Sequence, residues 1–161
     1  MKLIISIIVS FLLFTLQELS DVRRLFVEAP VNVVKSEAFY DFIVNYNRED
    51  NVLWAYKGAA ITLKAKFAKT IKEKKSLFTE GVKWIENAVK SEPNNLEIRL
   101  IRLSIQENAP KILNYKKNID EDKKLLLSNF EQQNLSLKEY IKKYIKQSDI
   151  FTDKEKKSIL N

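Results

Sequence analysis

The feature that most constrains this fold is a predicted helix that is apolar on two opposite sides. Pro93 and Pro110 bracket the segment, and its periodicity predicts a helix over residues 95–107. At about 100° per residue, three leucines fall on one side and three isoleucines on the opposite side: Leu96, Leu100 and Leu103, and Ile98, Ile101 and Ile105. Because each apolar side has to be covered by other protein, we expect this helix to lie at the centre of a helical stack.

The rest of the chain also favours helices over strands. Its 161 residues include two glycines and three prolines, whereas β folds need many turns and therefore many of both. Hydrophobic periodicity and capping residues divide the chain into about seven helical segments. The sequence predicts an all-α fold over residues 18–161, in which antiparallel helix hairpins stack as a single domain.

Polar residues mark the predicted starts of several helices. A capping serine, threonine or asparagine accepts a hydrogen bond from a backbone amide of the first turn, and a glutamate three residues later completes a capping box. Ser36 is the predicted cap of the second helix. Three further pairs have the spacing of a capping box: Asn94 with Glu97, Ser136 with Glu139, and Thr152 with Glu155.

The absence of two residue types narrows the possible functions. The chain contains no cysteine and no histidine, so disulfides, thiolate nucleophiles, zinc-finger sites and imidazole acid–base chemistry are excluded. The sequence also has no glycine-rich phosphate loop, no metal-ligand cluster and no nucleophile elbow. We therefore expect a non-catalytic protein that uses no cofactor and no metal.

The first 17 residues have the pattern of a secretory signal peptide. Lys2 precedes an apolar run of about 14 residues that ends at Leu16. That length suits the apolar region of a signal and is shorter than the roughly 20 residues that span a bilayer. The sequence predicts export to the periplasm or outside the cell, with cleavage near Leu16–Gln17. The alternative is an uncleaved segment that anchors the protein in a membrane.

Lysine gives the chain a formal charge of +7. Residues 64–75 contain six lysines and one glutamate, which indicates either a dock for a phosphate-rich partner or anionic lipid, or a solvated connection. The run lacks aromatic interleaving suited to base stacking, so a nucleic-acid partner is not expected. A second basic segment, residues 136–147, is amphipathic and either lies on a membrane surface or covers the end of the stack; its lysines are Lys138, Lys142, Lys143 and Lys146.

The central helix carries one candidate polar site. Arg99, Arg102 and Gln106 are three and four residues apart, so their side chains project together. Two guanidinium groups side by side are suited to gripping a carboxylate or a phosphate. The structural alternative is a set of ion pairs, because a buried arginine requires a carboxylate partner. The candidate partners are Glu80, Glu86, Asp120 and Glu121.

Residues 78–93 have the spacing of the second half of a tetratricopeptide unit, which runs aromatic, small, bulky apolar, small and proline: Phe78, Gly81, Ile85, Ala88 and Pro93. Trp54 and Gly58 supply matching positions for the unit's first helix, with about 11 extra residues in between. The chain thus resembles a tetratricopeptide-like helical repeat stack over about 16 residues. It also resembles uncharacterised exported bacterial helical proteins that have a proline-bracketed helix with arginines.

The resemblance implies binding rather than catalysis. A groove between stacked helices would take another protein or a peptide, and Trp54, Tyr56 and Trp84 are the candidate groove residues. Two alternatives stay open. One is an anion-binding protein or enzyme centred on Arg99 and Arg102, and the other is a peripheral protein that uses its lysine-rich faces on a membrane surface.

Overall fold

The computed structural model describes residues 18–45 and 49–161, and all regular elements within these ranges are helical. The predicted signal peptide, residues 1–17, lies outside the described residues. Eight α-helices occur in the described part, close to the number expected: α1 over residues 18–28, α2 Val33–Val44, α3 Asn51–Phe67, α4 Ile71–Ser91, α5 Leu96–Asn108, α6 Ile119–Asn129, α7 Leu135–Gln147 and α8 Asp153–Leu160. The prediction of an all-α fold is confirmed.

Asparagine caps replace three of the predicted helix starts. The predicted capping box of Thr152 and Glu155 is confirmed. The other starts were wrong because an asparagine lies at a better position in each case: Asn32 caps α2 in place of Ser36, Asn95 caps α5 in place of Asn94, and Asn134 caps α7 in place of Ser136. The side-chain oxygen of each asparagine accepts hydrogen bonds from amides of the first turn. Because Asn32 lies four residues before Ser36, α2 is one turn longer at its start than predicted.

Two glycines allow α3 and α4 to touch along their backbones. The helices are antiparallel, and Gly58 of α3 faces Gly81 of α4. A Cβ atom added at Gly58 would lie 2.5 Å from the carbonyl oxygen of Gly81 and 2.8 Å from the side chains of Trp84 and Ile85. Only glycine leaves room for such an approach. The close neighbour of Gly58 is therefore α4.

Helix α5 is the centre of the molecule, as its two apolar sides predicted. Ten of its thirteen residues are buried, including all three leucines and all three isoleucines. Side chains from α1, α3, α4, α6 and α7 surround it. The hydrophobic cluster extends through every helix, from Val22 in α1 to Ile159 in α8. A helix buried this completely has to pair its polar groups inside the protein.

Helix α7 covers one side of this core. Its core-facing side chains are buried: Leu137, Tyr140, Ile141, Tyr144 and Ile145. Because protein already covers that side, the structure favours the packed arrangement of this basic helix over one in which its apolar face lies on a membrane. No helix in residues 18–45 and 49–161 combines the length and the hydrophobicity needed to cross a bilayer.

Candidate functional site

The two arginines of α5 hold one buried carboxylate between them. Asp122 of α6 has no solvent-exposed surface. Its Oδ1 accepts hydrogen bonds from Arg99 Nη1 at 2.8 Å and from Arg102 Nη2 at 2.6 Å, and its Oδ2 accepts one from Arg102 Nε at 2.8 Å. Two forked guanidinium groups thus stabilise a single buried negative charge. The arrangement ties α5 to α6.

Carboxylates at the protein surface complete this network. Arg99 Nη1 also contacts Glu121 at 2.7 Å, and Arg102 Nη1 contacts Glu86 of α4 at 3.1 Å. A hydrogen bond from Asn118, and a second from Arg99, lower the pKa of the Glu121 carboxyl. Burial by itself would lower the pKa of the Arg102 guanidinium, but Asp122 and Glu86 raise it overall.

These contacts are those expected of a structural ion-pair network. Of the four partners that the sequence suggested, Glu86 and Glu121 take part, whereas Glu80 and Asp120 form no ion pair with described residues. The central partner, Asp122, was missed. Its position contains a signal that was overlooked, because it lies four residues before the buried Leu126 and therefore on the covered side of α6.

Gln106 lies on the same helix but outside the network. Its side chain is fully buried, and neither its Nε2 nor its Oε1 has a hydrogen-bond partner among the described residues. A buried amide without partners costs free energy, because it gives up its hydrogen bonds to water. The structure therefore brings Arg99 and Arg102 together on Asp122 and leaves Gln106 apart from them.

A second ion pair, between the partly buried Arg23 and the buried Glu97, joins α1 to the start of α5. Arg23 donates to both carboxylate oxygens of Glu97, with Nε–Oε1 at 2.8 Å and Nη2–Oε2 at 2.6 Å. The hydroxyl of Tyr56 donates to Glu97 Oε1 at 2.8 Å, and Arg23 Nη1 donates to Ser136 Oγ at 2.7 Å. Side chains from α1 and α3 therefore meet at the Glu97 carboxylate of α5, and Arg23 links this group to α7. The sequence predicts only a capping role for Glu97, and its pairing with Arg23 was missed.

Glu107 organises the other end of α5. Its Oε2 accepts a hydrogen bond from the Tyr144 hydroxyl at 2.6 Å, and its Oε1 accepts from Ser148 Oγ and from the Asp149 amide, both at 2.9 Å. Burial, followed by the hydrogen bond to Glu107, raises the pKa of the Tyr144 phenol. The carboxylate thus fixes the connection between α7 and α8 against the central helix.

The candidate groove residues separate into a surface pair and a core residue. The rings of Trp54 and Trp84 meet edge to face, with centroids 6.3 Å apart, and both side chains are half-buried. Lys57 Nζ lies 4.9 Å from the centroid of the Trp84 ring. Tyr56, in contrast, is fully buried against Phe26. Tyr56 therefore belongs to the core, because successive helical positions point in different directions.

The surface has depressions but they are shallow and open. One lies on α6 and α8 between Lys123, Lys124 and Glu155, and another runs along the exposed side of α4 past Lys72, Lys75 and Lys83. In the part of the chain that the structure describes, no three acidic side chains come together as metal ligands. These two depressions are therefore surfaces for contact rather than enclosed chambers for a small molecule.

No protein-family model, curated protein or solved structure matches this chain.

Proposed function

We propose that this protein is a non-catalytic interaction module that binds another protein or a peptide. The partner surface is the pair Trp54 and Trp84, with Lys57 beside them. Paired aromatic side chains that are half-exposed on a rigid support are typical anchors of protein interfaces, and tryptophan is enriched among the residues that dominate binding energy.

The observation that carries this proposal is the position of the indole pair beside the crossing of α3 and α4. The glycine contact holds these helices at a fixed spacing one turn away from the rings. The two indole rings are therefore held on a rigid support, which reduces the conformational entropy lost on binding. The nearby ammonium group of Lys57 favours a partner that carries a carboxylate next to an apolar side chain.

The alternative of an anion-binding protein or enzyme at Arg99 and Arg102 has less support. Arg99 already contacts two carboxylates and Arg102 contacts three. An external anion would have to displace Asp122, which is buried and whose carboxylate has Arg99 and Arg102 as its hydrogen-bond partners among residues 18–45 and 49–161. The interaction module requires no such rearrangement.

We further propose that the module acts after export, in the periplasm or outside the cell, on the basis of residues 1–17. A protein without cysteine is well suited to an oxidising compartment because it cannot form wrong disulfides. The test is the N-terminal sequence of the protein recovered from its native source. A new terminus near residue 17 supports export, whereas retention of Met1 in a membrane fraction supports the anchored alternative.

The interface proposal is tested by site-specific photo-cross-linking in the native host. A photoreactive phenylalanine analogue replaces Trp54 in the full chain, and the matched control places the same analogue at Leu135, which is 82% exposed on α7. We expect a discrete cross-linked protein at position 54 and none at position 135. Cross-linking at both positions to the same extent, or at neither, contradicts the proposal.

A further inference from the structure

The connection between α3 and α4 projects from the body of the protein. We call residues 66–76 the α3–α4 tip. Residues 71–76 form the first turns of α4, and all six are exposed. Because a helix that packs on the core always covers one side, six consecutive exposed residues place these turns beyond their neighbours. The tip is thus accessible from several directions.

An isoleucine occupies the start of this projecting helix. Ile71 is 86% exposed and directly follows Thr70, whose side chain caps α4 by accepting a hydrogen bond from the Glu73 amide at 3.1 Å. The cap fixes the point where the helix starts and therefore the position of Ile71 on it. Ile71 is held in water at a capped helix start, so an apolar surface that covers this side chain lowers the free energy.

More exposed aliphatic side chains lie beside the tip. Lys66, in the last turn of α3, donates from Nζ to the carbonyl oxygen of Pro30 at 2.7 Å. Pro30 belongs to the turn Ala29–Val31 between α1 and α2. Val31 in this turn is 67% exposed, and Val34 in the first turn of α2 is 70% exposed. The hydrogen bond brings this valine-rich turn against the base of the tip.

The charge of the tip is strongly positive. Its lysines outnumber its single acid, Glu73, by five to one: Lys66, Lys69, Lys72, Lys74 and Lys75. The Glu73 carboxylate is itself engaged, since it accepts a hydrogen bond from the Lys69 amide at 3.2 Å. The tip therefore combines exposed aliphatic side chains with the lysine ammonium groups that surround them.

We propose that the α3–α4 tip docks on an anionic phospholipid bilayer. Ile71 enters the interface between headgroups and acyl chains, and the surrounding lysines contact the lipid phosphates. A bilayer presents negative charge with hydrocarbon directly beneath it, and long lysine side chains bridge these two layers. Val31 and Val34 extend the apolar contact at the base of the tip.

A bilayer matches the tip better than a nucleic acid does. Phosphates of DNA or RNA would satisfy the lysines but would leave Ile71 in water, and single-stranded bases need aromatic platforms. Phe67, the aromatic residue of the tip, is half-buried and lies next to Lys66, whose Nζ is 5.5 Å from its ring centroid. This surface is separate from the Trp54–Trp84 pair, so both contacts are possible in one molecule.

A cysteine-based probe tests the proposal directly, because the natural chain has no cysteine that would compete for the label. Ile71→Cys is introduced into the full chain and labelled with a dye whose emission shifts to the blue in apolar surroundings. The probe surface is a vesicle of phosphatidylcholine and phosphatidylglycerol in equal parts. The matched control is Ile112→Cys, since Ile112 is 91% exposed but lies between α5 and α6.

We expect a blue shift for the label at position 71 with the anionic vesicles and not with pure phosphatidylcholine, and no shift at position 112. This local readout does not depend on whether residues 1–17 contact the vesicle. An unshifted label at position 71, or equal shifts at both positions, overturns the proposal.

Charge removal supplies the second measurement. Lys72→Gln together with Lys75→Gln, combined with the label at position 71, should raise the lipid concentration needed for half the shift by about 25-fold, or about fivefold for each lysine. The control is Lys154→Gln with Lys157→Gln on α8, where both lysines are also exposed. If the tip lysines instead govern binding to a DNA duplex while the label stays in water, the partner is a soluble polyanion and the membrane proposal fails.

Discussion

Asp122 binds Arg102 through both of its carboxylate oxygens, at 2.6 Å and 2.8 Å, inside a core that leaves the carboxylate no contact with solvent. A buried ion pair of this kind costs desolvation energy as it forms, so its net contribution to stability is small. Removal of either partner, in contrast, destabilises the protein, because the remaining partner is a buried charge with no opposite charge beside it. The pair therefore contributes more to the specific packing of α5 against α6 than to the free energy of unfolding.

The first prediction concerns this carboxylate. Asp122→Asn should lower the free energy of unfolding by about 3–5 kcal/mol, because two buried guanidinium groups lose the charge between them. Urea denaturation followed by circular dichroism measures the change. Asp120→Asn, an exposed position in the same first turn of α6, should change stability by less than about 0.5 kcal/mol. Equal effects of the two substitutions would contradict the assignment.

The second prediction concerns the pair of Arg23 and Glu97. Arg23→Met and Glu97→Met should each destabilise the protein by about 3 kcal/mol, since each leaves the other charge unpaired. The double variant should recover much of that loss, because two apolar side chains of similar length fill the same space. Urea denaturation of the four proteins in a double-mutant cycle gives the coupling energy. Losses that simply add would show that the two residues do not interact.

The third prediction concerns the unpartnered amide of Gln106. Gln106→Met retains the approximate volume and removes two buried polar atoms that lack partners. We expect a gain of about 1–2 kcal/mol in the free energy of unfolding. Gln132→Met, at an exposed position, is the control and should have little effect. A loss of stability at position 106 would indicate that a bound water molecule satisfies the amide.

The fourth prediction concerns the crossing of α3 and α4. Alanine normally stabilises a helix by about 1 kcal/mol relative to glycine. Gly58→Ala should instead destabilise the protein by about 1–3 kcal/mol, because the added Cβ would overlap the backbone of Gly81. Thermal and urea denaturation report the change, and Ser76→Ala on the exposed start of α4 serves as the control. A more stable Gly58→Ala variant would rule out the close crossing.

The fifth prediction concerns alkaline pH. Burial is the first cause that raises the pKa of four phenols, those of Tyr56, Tyr115, Tyr140 and Tyr144. A raised folded-state pKa means that the associated stability is present below the ordinary value of 10.0 and is lost as pH rises above it.

We therefore expect these phenols to ionise together with unfolding. Phenolate absorbance and far-ultraviolet circular dichroism, recorded in parallel above pH 10, should show that four of the six phenols ionise in the same transition as the loss of helicity. Substitution of Tyr115 by Phe should reduce that part of the absorbance change by one phenol without altering its midpoint by much. Ionisation of more than two phenols well before the loss of helicity would contradict the burial of these groups.

The centre of the fold was predictable because its signal is local. The two apolar sides of α5 follow from the spacing of six aliphatic residues, and the capping box at Thr152 follows from two residues three positions apart. Periodicity and residue spacing are properties of one segment, so they can be recognised without knowing which other helices pack against that segment. The competing asparagines were missed because several residues near a helix start have similar capping preferences.

The polar contacts of the core were predictable only in part. That Arg99 and Arg102 need carboxylates follows from the burial expected of their helix, but which carboxylate lies between them depends on how α6 is rotated. The partner of Glu97 could not be predicted from the sequence, since Arg23 lies 74 residues earlier in the chain. Nothing in the local pattern of either segment indicates that they meet.

The hydrogen bond between Arg23 and Ser136 joins positions 113 residues apart and passes beside Glu97 on the central helix. In a linear array of repeats, where each unit touches only the next, one end can melt while the other stays folded. Here α1 and α7, which are far apart in the chain, both contact the central helix. Loss of α1 leaves the Glu97 carboxylate without its guanidinium partner, and loss of α7 removes the hydrogen bonds of Ser136 and Tyr144. The described part should therefore open and close as one cooperative unit.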